Sequence, residues 1–294
     1  MKRFFAALLC LCLLAGCGRT DSTGNTCRAE EAPGSGDMSG KTEKPGESAE
    51  PAGEMFRIVR EEKDGLLLAR VGGGPADVYT LSLPDTGVTL DGEAFDRNEP
   101  GAYQALPGST LTGALAEITY GTVLETYPGQ LGGVTAVNIR SDGFDDRCAL
   151  YLRVLDDLWN VDGGLNGGVT SVSVDLSQTS LSESEQAAVA WAFGGEHGIS
   201  DPLTLSHEEL AAEGYLTGTE PDSGNIPCWE EGCLFTIAEQ ESENHVQNGA
   251  RDTVTFDAQK WRSALGAYFF CDCTASQDID GRWGDYTVGS QAIS

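Results

Sequence analysis

Between Phe56 and about Arg140, apolar residues come in short alternating runs separated by turn-forming residues. Phe56, Ile58 and Val59 flank the polar Arg57, Asp64-Gly65 supplies a hairpin turn, and Leu66 to Val71 forms the next apolar run. Val78 to Leu83 alternates and stops at Pro84, Leu115 to Leu124 carries a strand pattern with Gly121 inside it, and Val134 to Ile139 closes the set. No window here sustains a helical apolar period beyond about two turns. The pattern predicts a small all-β domain over residues 55–140, an OB-like sheet or barrel of about five strands.

From about Asp145 the period changes. Leu152, Leu155 and Trp159, with Val154 and Leu158 beside them, lie on one helical face, and Val169 to Leu176 reads as a strand. Ser182 with Glu185 and Ser206 with Glu209 are capping boxes, each opening a helix. Ala187 to Phe193 continues the first helix; the second gains a staple of Leu205 against Leu210 and a stop at Gly214. Leu234 to Ala238 is a strand, and Ala264 to Thr274 is expected to pair with Trp283 to Ile293 across Asp280-Gly281 as a long hairpin. Residues 145–294 therefore predict an α+β domain with helices early and antiparallel strands late, an order loosely similar to cystatin-like and NTF2-like folds. The chain as a whole is expected to be α+β.

The N-terminal segment follows neither period. Met1-Lys2-Arg3 precedes an apolar run from Phe4 to Leu14, too short to span a hydrocarbon layer about 30 Å thick as a helix. The run ends in Leu14-Ala15-Gly16-Cys17, which resembles the lipobox of bacterial lipoproteins, where the signal is cut before the Cys and that Cys is lipidated. The resemblance implies a signal peptide over 1–16 and a lipid anchor at Cys17, on the extracytoplasmic face of the cell membrane. Paired acyl chains hold stably where a single one does not. Residues 17–54 then comprise the lipidated Cys and a flexible tether. Gly18 to Glu54 is rich in Gly, Ser, Thr, Glu, Lys and Pro, with Met38 its one large apolar residue, too little apolar surface to offset chain entropy. As a coil the tether spans roughly 35 Å.

Charge narrows the partners. Lys+Arg total 18 against Asp+Glu 46, a net of −28. Loss of Lys2 and Arg3 with the signal takes the mature chain to −30. Such a surface repels phosphate backbones and anionic headgroups, which argues against nucleic acid and against electrostatic docking on lipid. Four phrases, Leu124-Glu125-Thr126-Tyr127-Pro128-Gly129-Gln130, Leu155-Asp156-Asp157-Leu158-Trp159-Asn160, Lys260 to Tyr268 and Gly289 to Ser294, resemble a group of lipoproteins from Gram-positive gut bacteria. That group carries no assigned activity, so the resemblance implies an extracytoplasmic lipoprotein and transfers no catalytic residue.

Candidate chemistry is sparse. Cys10 and Cys12 leave with the signal and Cys17 takes the lipid, leaving Cys27, Cys148, Cys228, Cys233, Cys271 and Cys273. Period two puts Cys271 and Cys273 on one strand face with Ala267 and Phe269, and Cys228 and Cys233 bracket a turn. A disulfide from that turn to the 271/273 strand is the first expectation, with free packed thiols the second. The C-x-C and C-x₄-C arms fit zinc spacing poorly, and no C-x-x-C is present. His207 and His245 read as solvated, and His197 as the cation at a helix end. A Cys148–His197 or Ser263–His197 pair has no G-x-S-x-G signature behind it. Carboxylate pairs such as Asp156-Asp157, Asp145-Asp146 and Glu230-Glu231 are expected by chance in so acidic a chain. Asn160-Val161-Asp162-Gly163 and Asp278-Ile279-Asp280-Gly281 place ligand types before a Gly but lack the Glu that closes an EF-hand. The first is a helix-exit loop with a weak calcium site as its minor alternative. No metal and no cofactor is expected.

The aromatic residues near the C-terminus are more informative. Were one face of the terminal hairpin left uncovered, Trp261, Arg262, Tyr268 and Trp283 would form an exposed binding surface; core packing of the same rings is the competing expectation. The function expected is a non-catalytic, lipid-tethered protein that binds an extracytoplasmic peptide, glycan or protein. The alternative is a small envelope hydrolase using carboxylates or a Ser/Cys–His pair.

Overall fold

The computed structural model describes residues 53–219, 226–240 and 252–294. The strands of the first half are β1 (Glu54–Glu62), β2 (Gly65–Arg70), β3 (Val78–Leu81), β4 (Val88–Leu90), β5 (Glu93–Ala94), β6 (Leu115–Thr119), β7 (Thr122–Leu124), β8 (Gly129–Gly132) and β9 (Ala136–Arg140). There follow α1 (Arg147–Asn160), β10 (Ser171–Gln178), α2 (Glu183–Glu196), α3 (His207–Ala212), β11 (Gly232–Glu239), β12 (Thr253–Ser263), β13 (Gly266–Ser276) and β14 (Ser290–Ile293). The fold is α+β. A nine-stranded sheet runs β5-β4-β9-β6-β1-β2-β3-β8-β7, and a five-stranded sheet runs β10-β11-β12-β13-β14. All described residues belong to one compact unit.

Helix α2 decides how the two sheets stack. Ala187, Ala188, Val189, Ala190, Ala192, Phe193 and Gly194 are all buried, so apolar residues run round most of its girth. A helix of that kind needs cover on most sides. It touches β1, β2 and β3 of the first sheet and β10 of the second, with α1 alongside. One apolar cluster accordingly joins Leu67, Ala69 and Val78 to Phe193, Val174 and Phe235. Strand β2 alternates between two interiors: Leu67 and Ala69 face the helices, while Leu66 and Leu68 face a second core with Phe56, Ile58, Ile118, Val137 and Ile139. Most strands of the first sheet feed that second core, so the sheet curls around it. A bulge between Ile58 and Arg60 turns Val59 to the helix side.

Helix starts follow the sequence closely. Glu185 accepts the Ser182 amide at 2.9 Å and Glu209 accepts the Ser206 amide at 2.8 Å, with each serine hydroxyl accepting in return from the backbone three residues on. Gly214, at φ +81°, ends α3, and the Tyr215 amide closes back on the Leu210 carbonyl.

The expected long hairpin across Asp280-Gly281 forms, but the sequence pattern missed a second partner for its first arm, strand β12. Strand β12 pairs along the other edge of β13, from Thr253↔Ser276 to Ser263↔Gly266. The return segment pairs as β14 along Tyr268 to Cys271 and reaches back to the turn through bridges at Thr274↔Thr287 and Gln277↔Trp283. Val254, Phe256, Ala258 and Lys260 of β12 all point inward, and a lysine in the fourth place disguises the apolar alternation. Lys260 is 0% exposed. Its ammonium donates to the carbonyls of Trp159 (3.2 Å), Val161 (2.9 Å) and Asp162 (3.3 Å), so its three donors meet the open end of α1. Burial holds its pKa below the usual lysine value, and the negative end of the α1 dipole offsets part of that cost. Arg262 continues the pattern, donating to Leu165 (3.0 Å), Gly167 (2.6 Å) and Glu230 (2.6 Å) carbonyls. The helix-exit loop, for which a weak calcium site was the minor alternative, thus meets two cations that are covalently part of the chain. Replacing Lys260 by Met keeps the stem but strands three carbonyls; a loss of about 2–4 kcal/mol is expected in denaturant unfolding, and an unchanged midpoint would refute the role.

Candidate binding site

Of the two expectations for the C-terminal aromatic residues, core packing is the one that holds for both tryptophans. Trp261 and Trp283 are only 7% and 2% exposed. Trp261 shares a cluster with Ala267, Leu210, Leu216 and Trp229 beneath α3, and the His207 ring meets it edge-on at 4.7 Å. Tyr268 and Phe270 lie on the other side of β13, against the helix core, and the Tyr268 hydroxyl donates to Gln291 at 2.6 Å. Trp283 sits in that core as well. Its backbone amide donates to Asp146 (2.7 Å), its indole N–H donates to Asp145 (2.8 Å), and the Arg147 guanidinium lies 4.6 Å over its ring. Asp145-Asp146, one of the chance acid pairs of the sequence, therefore anchors the segment after β13. Burial raises the Asp146 carboxyl above its ordinary value.

The disulfide expected between the 228/233 turn and the 271/273 strand is not formed: all four thiols are free, as is Cys148. The register keeps the pairs apart. Cys273 lies opposite Phe256, which lies opposite Glu239, six residues from Cys233, or about 20 Å of strand. A disulfide needs Cα atoms within about 7 Å. Cys228 bridges to Ser263, opposite Gly266 and well short of Cys271. The shared face of Cys271 and Cys273 is also lost, because Asp272 adopts φ +53° at a bulge and Cys273 turns into the helix core. Burial pushes the Cys233 and Cys273 thiols up to about 12 and Cys148 well above its ordinary value. Cys17, Cys27 and His245 lie outside the described residues.

Neither nucleophile pair is assembled. Cys148 is buried eight residues, about 12 Å, up α1 from Asp156, the partner of His197, and Ser263 lies at the end of β12 beside Cys228. His197 Nε2 is 2.9 Å from Asp156 Oδ1, and its ring stacks on Trp159 at 4.2 Å. Glu196, next to it, is 2.5 Å from Arg60. Burial, and then the Asp156 charge, raise the Glu196 carboxyl above its ordinary value.

An apolar groove among the described residues was not visible in the sequence. Pro75 and Ala76 between β2 and β3, Tyr127 between β7 and β8, Ala187 and Trp191 of α2, and the segment from Pro202 to Leu205 line a groove of about 400 Å³. Tyr127 meets Trp191 edge-to-face at 5.6 Å and its hydroxyl donates to the Pro75 carbonyl at 3.2 Å. Tyr127 is 50% exposed and Leu124 52%, and Val123 joins them at the surface. These residues belong to or follow β7, the last strand of its sheet, whose outer edge is unpaired among the described residues. Exposed Glu125 lies two residues before Tyr127, and exposed Asp201 directly precedes Pro202. Apolar walls, an open strand edge and an acidic rim are the parts needed to hold an extended peptide. The one sequence signal was Trp191, a large ring interrupting the small residues of α2. Comparison with protein-family models, curated proteins and solved structures gave no match.

The thiol arrangement is checked by alkylation. At pH 8 a group with pKa near 12 is thiolate in roughly one molecule in ten thousand. Iodoacetamide is therefore expected to mark the half-buried Cys228 and Cys271 in native protein, and Cys148, Cys233 and Cys273 only after unfolding, as read by peptide mass spectrometry. Protection of all five until reduction would overturn the free-thiol arrangement.

Proposed function

We propose that the protein is anchored through lipid at Cys17 to the extracytoplasmic face of the cell membrane. Its folded part there binds, without catalysis, an extended peptide with an apolar anchor and cationic flanks. The observation that carries the binding half is exposed Tyr127 packed on half-buried Trp191, three residues beyond the open-edged β7. A flanking lysine or arginine suits Glu125, Asp201 and a chain of net charge −28. The apolar walls favour a peptide over a glycan, whose hydroxyls need several convergent polar partners. Preference for a binder over an envelope hydrolase rests on the separation of Cys148 and Ser263 from His197. The anchoring half rests on the order of charge, apolar run, small residues and Cys at the N-terminus. Among the described residues no helix is long and apolar enough to cross a membrane, which is compatible with attachment by lipid. For the finer fold likenesses, support for OB-like lies in the curled first sheet, and for cystatin- or NTF2-like in helices preceding the antiparallel strands.

Each half has its own test. Cys17→Ala is expected to abolish incorporation of labelled palmitate and move the protein from the membrane fraction to the medium; retention in the membrane would refute the anchor. On an array of apolar pentapeptides flanked by lysine or by glutamate, binding to the lysine set is expected. Tyr127→Ala and Trp191→Ala should each weaken it by about tenfold or more, equivalent to about 1.4 kcal/mol. Equal binding to both sets, or insensitivity to both substitutions, would remove the groove from consideration.

A further inference from the structure

None of Asp156, Glu196 and His197 lines the peptide groove, yet α1 and the end of α2 bring one donor atom of each to within 4.8 Å of the others. An imidazole nitrogen with two carboxylates is a donor set suited to zinc. Zinc bonds of about 2.0–2.2 Å set tetrahedral donors roughly 3.4 Å apart. The Asp156–His197 pair is already at 2.9 Å, and Glu196 is exposed enough to close the remaining gap by a side-chain rotation. The His197 ring is not free to turn away. Trp159 stacks on it at 4.2 Å and Phe193 meets it at 4.7 Å, which aims Nε2 into the cluster.

Helix polarity points the same way by an independent route. The last turn of α2 holds Glu196 and no lysine or arginine, at the end where the helix dipole favours a cation. Asp156 adds a second carboxylate there, and Arg60, 2.5 Å from Glu196, balances one of the two. A shallow cavity of about 290 Å³ lined by Arg153, Asp156, Asp157, Asp285 and Tyr286 opens beside the cluster, leaving room for water in a fourth coordination position.

We propose that Asp156, Glu196 and His197 form an exchangeable zinc site, with Arg60 holding the outer oxygen of Glu196. The site joins α1 to α2 and is separate from the peptide groove, so either can fail without the other.

The test is titration of Co²⁺ into the metal-free, thiol-reduced full chain in detergent, followed by displacement with Zn²⁺. One Co²⁺ per chain is expected, with visible bands of nitrogen and oxygen ligation and without a thiolate charge-transfer band. His197→Ala, Asp156→Asn and Glu196→Gln should each weaken binding by more than about tenfold. Zn²⁺ should raise the Tm of the wild type and leave that of Glu196→Gln, the substitution least able to disturb packing, unchanged. A thiolate band, unaltered affinity in Glu196→Gln, or no saturable binding in the micromolar range would each overturn the site, leaving Asp156 and His197 as a plain ion pair.

Discussion

A helix with small apolar residues round most of its girth leaves water only the narrow stripe through Glu183, Trp191 and Gly195, and α2 imposes that condition on the whole molecule. Its alanines and Gly194 let two sheets approach a single helical layer from opposite sides. Gly194 is the closest fit: a Cβ there would stand 2.8 Å from the Pro202 ring. The polar groups at the start of the helix complete the attachment. Ser184 donates to the Arg70 carbonyl at 2.8 Å, and Glu185 meets Arg57 at 3.4 Å while Arg57 also donates to the carbonyls of Gly113 and Gly143. First sheet, helices and second sheet are thereby one cooperative body, and the groove exists because α2 is where pieces of all of them meet.

Cations inside the fold are supplied by the chain itself. Lys260 and Arg262, on one strand, gather six backbone carbonyls from the exit of α1, the loop after it and the turn before β11. A chain so rich in carboxylates keeps these two basic groups away from them and gives them to the backbone, where each donor has a neutral acceptor. The arrangement stiffens a glycine-rich loop that has few apolar contacts of its own.

What the sequence discloses and what it hides follows from range. Capping boxes are contained within four residues, and both were legible; so was the apolar face of α1 and the strand-rich first half. The short strands β4, β5 and β8 were hidden because two to four residues cannot show a period, and the single strand read over Leu115–Leu124 is broken at Tyr120-Gly121 into β6 and β7. Strand β12 was hidden by Lys260, a charge at a core position that becomes intelligible only when the end of α1 is seen above it. A single bulge at Asp272 reversed the expected face of Cys273, since a one-residue slip flips every side chain beyond it. The pattern left core packing and an exposed face as alternatives for the C-terminal rings because what covers them, α3 and Asp145-Asp146, is distant in sequence. The groove and the Asp156–Glu196–His197 cluster are assembled from segments tens of residues apart, and no local pattern announces either.

The position of β1 has a mechanical meaning. Were the chain held at Cys17 as proposed, a pull from the membrane would reach the described fold at Glu54, the first residue of a strand hydrogen-bonded on both sides, to β2 and to β6, in the middle of its sheet. Such tension would therefore load two ladders lengthwise and together, a geometry that yields by simultaneous rupture and not by peeling. Had the leash led into an edge strand such as β14, the same pull would unzip one bond at a time.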